Sequence, residues 1–245
     1  AITLKKEAIL FGSLTVIAFL IVQLLKDLEP AKRREIMGIA IIIFIFRAMP
    51  GIGAGASWWQ IDVLGFDEAF FGTLRQIASI LAIIGLFALR GWMSRRPITY
   101  LVVFLSVYNA VMMLPFIGMY HGLHHWTEVH LGFGARTIAI IDTMADSPLG
   151  QVAMIPMLAW IANSAPANLK ATFFAVMASF TNLALSLAQL GTKYLNEIFT
   201  VSREVKDAVS GAVTVPADYS ELGILLITAT VITFVLPIAA VALVL

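Results

Sequence analysis

The sequence predicts an all-α fold, a polytopic membrane bundle of seven transmembrane helices, on three observations. Of its 245 residues 60% are hydrophobic and only 13% charged, with a mean hydropathy of +0.92, whereas soluble domains carry about 25% charged residues. Apolar runs of roughly 20 residues, the length that crosses hydrocarbon as a helix, recur along the chain. Lysine and arginine gather in alternate connections, as the positive-inside rule requires. The net charge of +1, with no dense basic tract, argues against a nucleic-acid partner. The absence of cysteine excludes disulfides, thiolate metal sites and cysteine nucleophiles.

The first span is the uncharged run 8–25, followed by KDLEPAKRRE, the densest basic connection. The second starts at Ile36, carries Arg47, and meets Pro50, Gly51, Gly53 and Gly55, a run that should break the helix. The connection SWWQIDVLGFDE is acidic, and its Trp58 and Trp59 suit an interfacial belt. The third span, 69–89, holds Arg75 and Gln76 and ends in RGWMSRRP; the fourth, 98–119, includes Ser106, Tyr108 and Asn109. A connection with all four histidines leads to the fifth span, which carries Asp142 and Asp146 and is interrupted by Pro148 and Pro156. The turn NSAPANLKA precedes the sixth span, 172–191, and a longer polar connection precedes the seventh, 222–245. No spanning β-strand is expected, because backbone groups in hydrocarbon must be satisfied within the segment.

Eight lysines and arginines (26, 32, 33, 34, 90, 95, 96, 170) fall in one set of connections and six (5, 6, 136, 193, 203, 206) in the other. This places the N-terminus outside and the C-terminus in the cytoplasm. An odd span number starting outside predicts that the chain is a fragment lacking an upstream part.

Asp142 and Asp146 stand four residues apart, on one helical face. A carboxylate facing lipid costs several kcal/mol, so this face should look into the bundle or a water-filled cavity. Arg47 lies at a depth from which its long side chain could reach Asp146, and Asp142, one turn further out, is expected nearer Arg75 or the outer mouth. Opposite charges on neighbouring helices would offset each other's desolvation. Ser179, Asn182, Ser186 and Gln189 recur at helical spacing along the sixth span. That stripe is expected to face protein, as interhelical hydrogen-bonding groups or as substrate contacts. These positions, with Asn109, form the candidate set for substrate binding or proton coupling: Arg47, Arg75, Asn109, Asp142, Asp146, Ser179 and Asn182.

The connection HGLHHWTEVH has the spacing of one histidine box, but a di-iron site needs several boxes and about eight histidines, and this chain has only His121, His124, His125 and His130. A retinal Schiff base needs a lysine within a span, and none of the seven contains one. No nucleotide motif is found, and no metal, cofactor or catalytic residue is expected.

The basic connection followed two spans later by RGWMSRRP, with Gly85, Gly91, Arg95 and Arg96, resembles the second half of a major facilitator transporter plus the last span of its first half. The segments IFIFRAMPGIGAGA, VLGFDEAFFGTLR and GQVAMIPMLAWIANSAPANLKATFFAVMASFTNLA are more specifically similar to the folate-biopterin transporter family. Phe46 with Pro50, Leu64-Gly65-Phe66, Gly72, Pro156, Pro166, Ala171-Thr172, Phe174-Ala175, Ser179 and Asn182 carry that similarity; Lys170 stands where the family usually has an acidic residue. The resemblance implies that residues 1–35 are the last helix of an N-terminal half with a cytoplasmic linker, and 36–245 the C-terminal six-helix half. It implies a secondary active transporter of a polar organic solute, folate- or pterin-like, working by alternating access in a bacterial inner (plasma) membrane. Its partners would be the lipid bilayer, the small-molecule substrate with a coupling proton, and the missing N-terminal half. Spans two and five would face the substrate path. Two other readings stay open: a membrane-embedded enzyme, which would need titratable groups converging at one depth, and a non-transporting assembly protein.

Overall fold

Local chemistry marks the start of three helices in this chain. Pro30 is the first residue of one helix, Pro97 precedes another, and the Asp67 side chain accepts the Phe70 N–H at 2.7 Å to start a third. The computed structural model describes residues 2–150, 154–165, 169–207 and 210–244. These form α1 (Ile2–Leu25), α2 (Pro30–Arg47), α3 (Gly55–Asp62), α4 (Glu68–Met93), α5 (Ile98–Tyr120), α6 (Leu123–Leu131), α7 (Ala135–Gly150), α8 (Met154–Ser164), α9 (Lys170–Ile198) and α10 (Leu222–Val244). Strands β1 (Val205–Lys206) and β2 (Val213–Val215) lie between α9 and α10.

The fold is a helical membrane bundle. Among the described residues five helices are long and apolar enough to cross a bilayer: α1 from Glu7, α4, α5, α9 and α10. The expected second span, α2, opens with a charged first turn. The expected fifth divides into α7 and α8, with residues 151–153 outside the described residues. Residues 166–168 of the turn NSAPANLKA, with Pro166, and Leu245 also lie outside them. As expected from Pro50 and the glycines behind it, α2 stops at Arg47, and residues 48–54 run without helix to α3. Pro148, by contrast, sits inside α7, which continues to Gly150. The strands pair antiparallel but are short and exposed, far from the 9–11 residues of a spanning strand.

Helix α5 packs along α10, α4 along α7, and α2 against both α9 and α10, while α1 lies on α9. With lipid as solvent, van der Waals fit drives such contacts, and small residues permit the closest ones. A Cβ on Gly85 would stand 2.1 Å from the Pro148 carbonyl oxygen, so α4 and α7 touch backbone to backbone only because Gly85 has none. Gly223 likewise admits the Tyr120 ring against α10.

One core cluster joins Trp59, Phe116, Met119, Leu222, Leu225 and Leu226 at the end of the bundle where α3 and α6 lie. Trp59 is therefore not an interfacial belt residue: α3 turns it inward, to 5.8 Å from Phe116 and 5.7 Å from Tyr120, and it is 4% exposed. A second cluster joins Ile21, Leu25, Ile36, Phe173 and Met177 where α1, α2 and α9 meet. The connections 57–68 and 120–135 lie side by side: Val63 and Leu64 share a hollow with His124, His125 and Glu128, and Arg136 at the start of α7 donates to Gly65 O and Asp67.

Candidate functional site

Two helical stripes face each other across a cavity of about 360 Å³. Asn109, Met112, Met113, Phe116 and Met119 come from α5, and Ala139, Asp142, Thr143 and Asp146 from α7. Both sets follow the three-and-four spacing of one helix face. Gln60 of α3, Leu74 of α4 and Thr233 of α10 complete the lining. The Tyr108 hydroxyl donates to the Ala145 carbonyl, tying α5 to α7 beside the carboxylates. Asp142 and Asp146 are both half-buried, and Asp142 Oδ1 is buried with no hydrogen-bond partner among the described residues. No lysine or arginine lines the cavity. Its chemistry is that of an acceptor site: two carboxylates, two amides and two hydroxyls, which hold a proton or N–H donors and repel a second carboxylate.

The candidate residues thus separate into groups. Asn109, Asp142 and Asp146 share the cavity. Arg47 does not join them, and the expected Arg47–Asp146 pair is not formed: among the described residues no ion pair links Arg47 or Arg75 to Asp142 or Asp146. The reason is direction. Arg47 ends α2 and turns toward α9, where its Nε donates to the Thr181 carbonyl at 3.4 Å, while the carboxylates look toward α5. Arg75 is exposed on α4, and its carbonyl accepts the Ser79 hydroxyl at 2.8 Å.

Ser179 and Asn182, with Ser186 and Gln189, correct a further expectation. All four are exposed, and the buried side of α9 is Phe173, Met177, Phe180, Thr181 and Ala184. At about 100° per residue the centres of the two sets fall on opposite sides of the helix. The larger apolar side chains take the contact with α1 and α2, and the polar stripe is left on the opposite side. Ser179 returns its hydroxyl to the Ala175 carbonyl at 2.9 Å.

Gln60 reaches the cavity from α3, and α3 is held by a clasp that sequence reasoning missed. Asp62, two residues on, receives Arg203 Nη2 at 2.9 Å, Arg203 Nε at 3.2 Å and the Tyr219 hydroxyl. Tyr120 donates to the Tyr219 and Ser220 carbonyls at 2.9 and 3.0 Å, fastening the same connection to α5. The Tyr219 hydroxyl, with Arg203 beside it, holds the Asp62 carboxyl below the usual range; burial and Asp62 push the Tyr219 phenol up to about 12. Partners so distant in sequence leave no local signal. The cavity's methionines and Thr143 did leave one, the shared period with Asn109 and Asp142.

The histidines are engaged locally. His124 Nδ1 is bonded to Met119 O at 3.0 Å, His130 Nδ1 to Trp126 O at 2.9 Å, and the His124 and His125 rings lie 3.9 Å apart. Burial and His125 hold His124 below the usual imidazole range.

The sequence pattern of the BT1 family matches residues 5–245. The chain is also similar to a folate-biopterin transporter from Synechocystis sp. (strain ATCC 27184 / PCC 6803 / Kazusa), 22% identical over 156 residues that cover 64% of this chain and 31% of that relative. The chain therefore aligns with about a third of the relative's length. No solved structure matches it.

Proposed function

We propose a transport function from one premise, that the chain belongs to the BT1 family. The whole transporter would move a folate- or pterin-like polar solute across the membrane by alternating access, without catalysing a reaction on it. The relative that carries the name folate-biopterin transporter supports the solute class. In this reading residues 36–245 form the C-terminal half of a major facilitator fold, with α2 and the α7–α8 pair as spans that bring the total to seven. Residues 1–35 supply the last helix of the other half and its linker. The basic turns face the cytoplasm, with the C-terminus, in a bacterial inner membrane.

The observation that carries the mechanism is the cavity holding Asp142 and Asp146 with no cation in its wall. Two carboxylates on one helix face, with no counter-ion in the wall, are suited to take up and release the coupling proton. Asn109, with Gln60, orients the proton acceptor or the N–H edge of the solute. In this reading Arg47, bonded to the Thr181 carbonyl, meets the anionic end of the solute; Ser179 and Asn182, on the other side of α9, form a separate polar surface, and Arg75 stands at the outer mouth. Moving the proton between the carboxylates and water on either side would bias the two halves to rock.

Uptake of labelled folate and biopterin into liposomes holding the full-length protein tests the reading. Uptake of either, raised by an inward proton gradient, is expected. No uptake of either, with the protein folded and inserted, would overturn it.

A further inference from the structure

The other end of the bundle carries a feature separate from the acidic cavity. The last turn of α4 and the turn that follows it present Arg90, Arg95 and Arg96, and among the described residues none of the three has an acidic partner. Arg90 and Arg96 line a hollow of about 330 Å³ with Ser94 of the turn and Asn163 of α8. Arg95 and Arg96 line a second, adjoining hollow with Gly91 and Trp92. No carboxylate lines either. The start of α5 opens beside the first: Pro97 is its cap and supplies no side-chain acceptor to the first-turn amides, so the positive end of that helix adds to the arginines.

From this arrangement we infer a binding site for the phosphate of an anionic phospholipid headgroup in the groove between the α4–α5 turn and α8. Guanidinium forks match phosphate oxygens two at a time, and basic pockets between membrane helices hold such headgroups. The rest of the groove selects a lipid over a free anion. Its inner wall is apolar, made by Met93, Ile98, Ile155, Pro156 and Trp160, and would run alongside an acyl chain. Trp92 and Tyr100 pack at its rim with ring centroids 6.3 Å apart, and Arg96 lies 5.3 Å over the Tyr100 ring. Aromatic and basic side chains mixed in this way are characteristic of headgroup depth. The site does not depend on the solute or on proton coupling.

Thermal melts and native mass spectra of the full-length protein in detergent, with added phosphatidylglycerol, phosphatidylcholine or inorganic phosphate, decide it. Phosphatidylglycerol should bind and raise the melting temperature more than phosphatidylcholine does, and Arg90→Gln with Arg96→Gln should weaken it about fivefold for each arginine lost. Arg33→Gln with Arg34→Gln removes the same charge from the first turn of α2 and should leave the binding intact. Equal loss in both double variants would overturn the site in favour of diffuse surface charge. A melt shift from inorganic phosphate alone, abolished by the first pair, would overturn the lipid in favour of a soluble phosphate. Should the glutamine pair fail to fold, equal binding of phosphatidylglycerol and phosphatidylcholine by the unsubstituted protein would sink the inference by itself.

Discussion

The acidic stripe of α7 and the polar stripe of α9 look alike in sequence, each a set of polar residues at helical spacing in an apolar helix, and the fold treats them in opposite ways. Asp142 and Asp146 face α5 across a lined cavity, with Tyr108 fastening the two helices beside them. Ser179, Asn182, Ser186 and Gln189 are exposed while the phenylalanines behind them pack on α1 and α2. A charge cannot be left against lipid at the cost of a hydroxyl, which can satisfy itself on its own helix as Ser179 does. Charged groups in a span therefore predict enclosure more firmly than hydroxyls and amides do.

The largest expected effect is structural. Gly85→Ala should push α4 from α7, because the new Cβ meets backbone at Pro148 and not a side chain that could rotate away. Overpacking of this kind costs about 1–3 kcal/mol, read as a lowered melting temperature of the full-length protein, and it should disturb the cavity while sparing the α9 face. Next in size, Arg47→Ala should weaken solute affinity several-fold, since Arg47 is the cation assigned to the anionic end of the solute; an unchanged Kd with lost proton coupling would move it to the acidic side instead.

What was legible beforehand follows the same division. The bundle, the break after Arg47 and the acidic face of α7 are local patterns of composition and period, and they stand. The Arg47–Asp146 pairing fails because it required two helices to be placed relative to one another. Depth along a helix could be counted for Arg47 and Asp146, but the direction in which α2 turns its last residue could not. The burial of Trp59 and the Asp62 clasp depend on residues more than 50 positions away. The number of spans rested on α2 and on the α7–α8 pair, the segments in which charge or prolines thin out the apolar pattern.

A smaller effect concerns the clasp that carries Gln60 toward the cavity. Folding lowers the Asp62 pKa, so its contribution is present above the ordinary carboxylate range and is lost as pH falls through the lowered value. Folding raises Tyr219 to about 12, so its contribution is complete below the ordinary tyrosine range and is lost as pH rises through the raised value. Protection of the amides of 199–207 and 210–221, taken relative to their intrinsic exchange rates, should therefore be greatest between these limits, and Asp62→Asn should flatten the acid side. Smallest of all, Ser179→Ala should change stability by no more than about 0.5 kcal/mol, being exposed and bonded only within its own helix. A larger loss would mean that the α9 stripe is covered in the working protein by something that uses its hydroxyl.

The most direct test of the difference between the two stripes is uptake by the full-length protein in liposomes, with and without an inward proton gradient, comparing Asp146→Asn with Asn182→Ala. Asp146→Asn should abolish the stimulation by the gradient, and Asn182→Ala should keep that stimulation while raising the KM for the solute. Full gradient stimulation in Asp146→Asn would contradict the assignment of proton coupling to the acidic cavity.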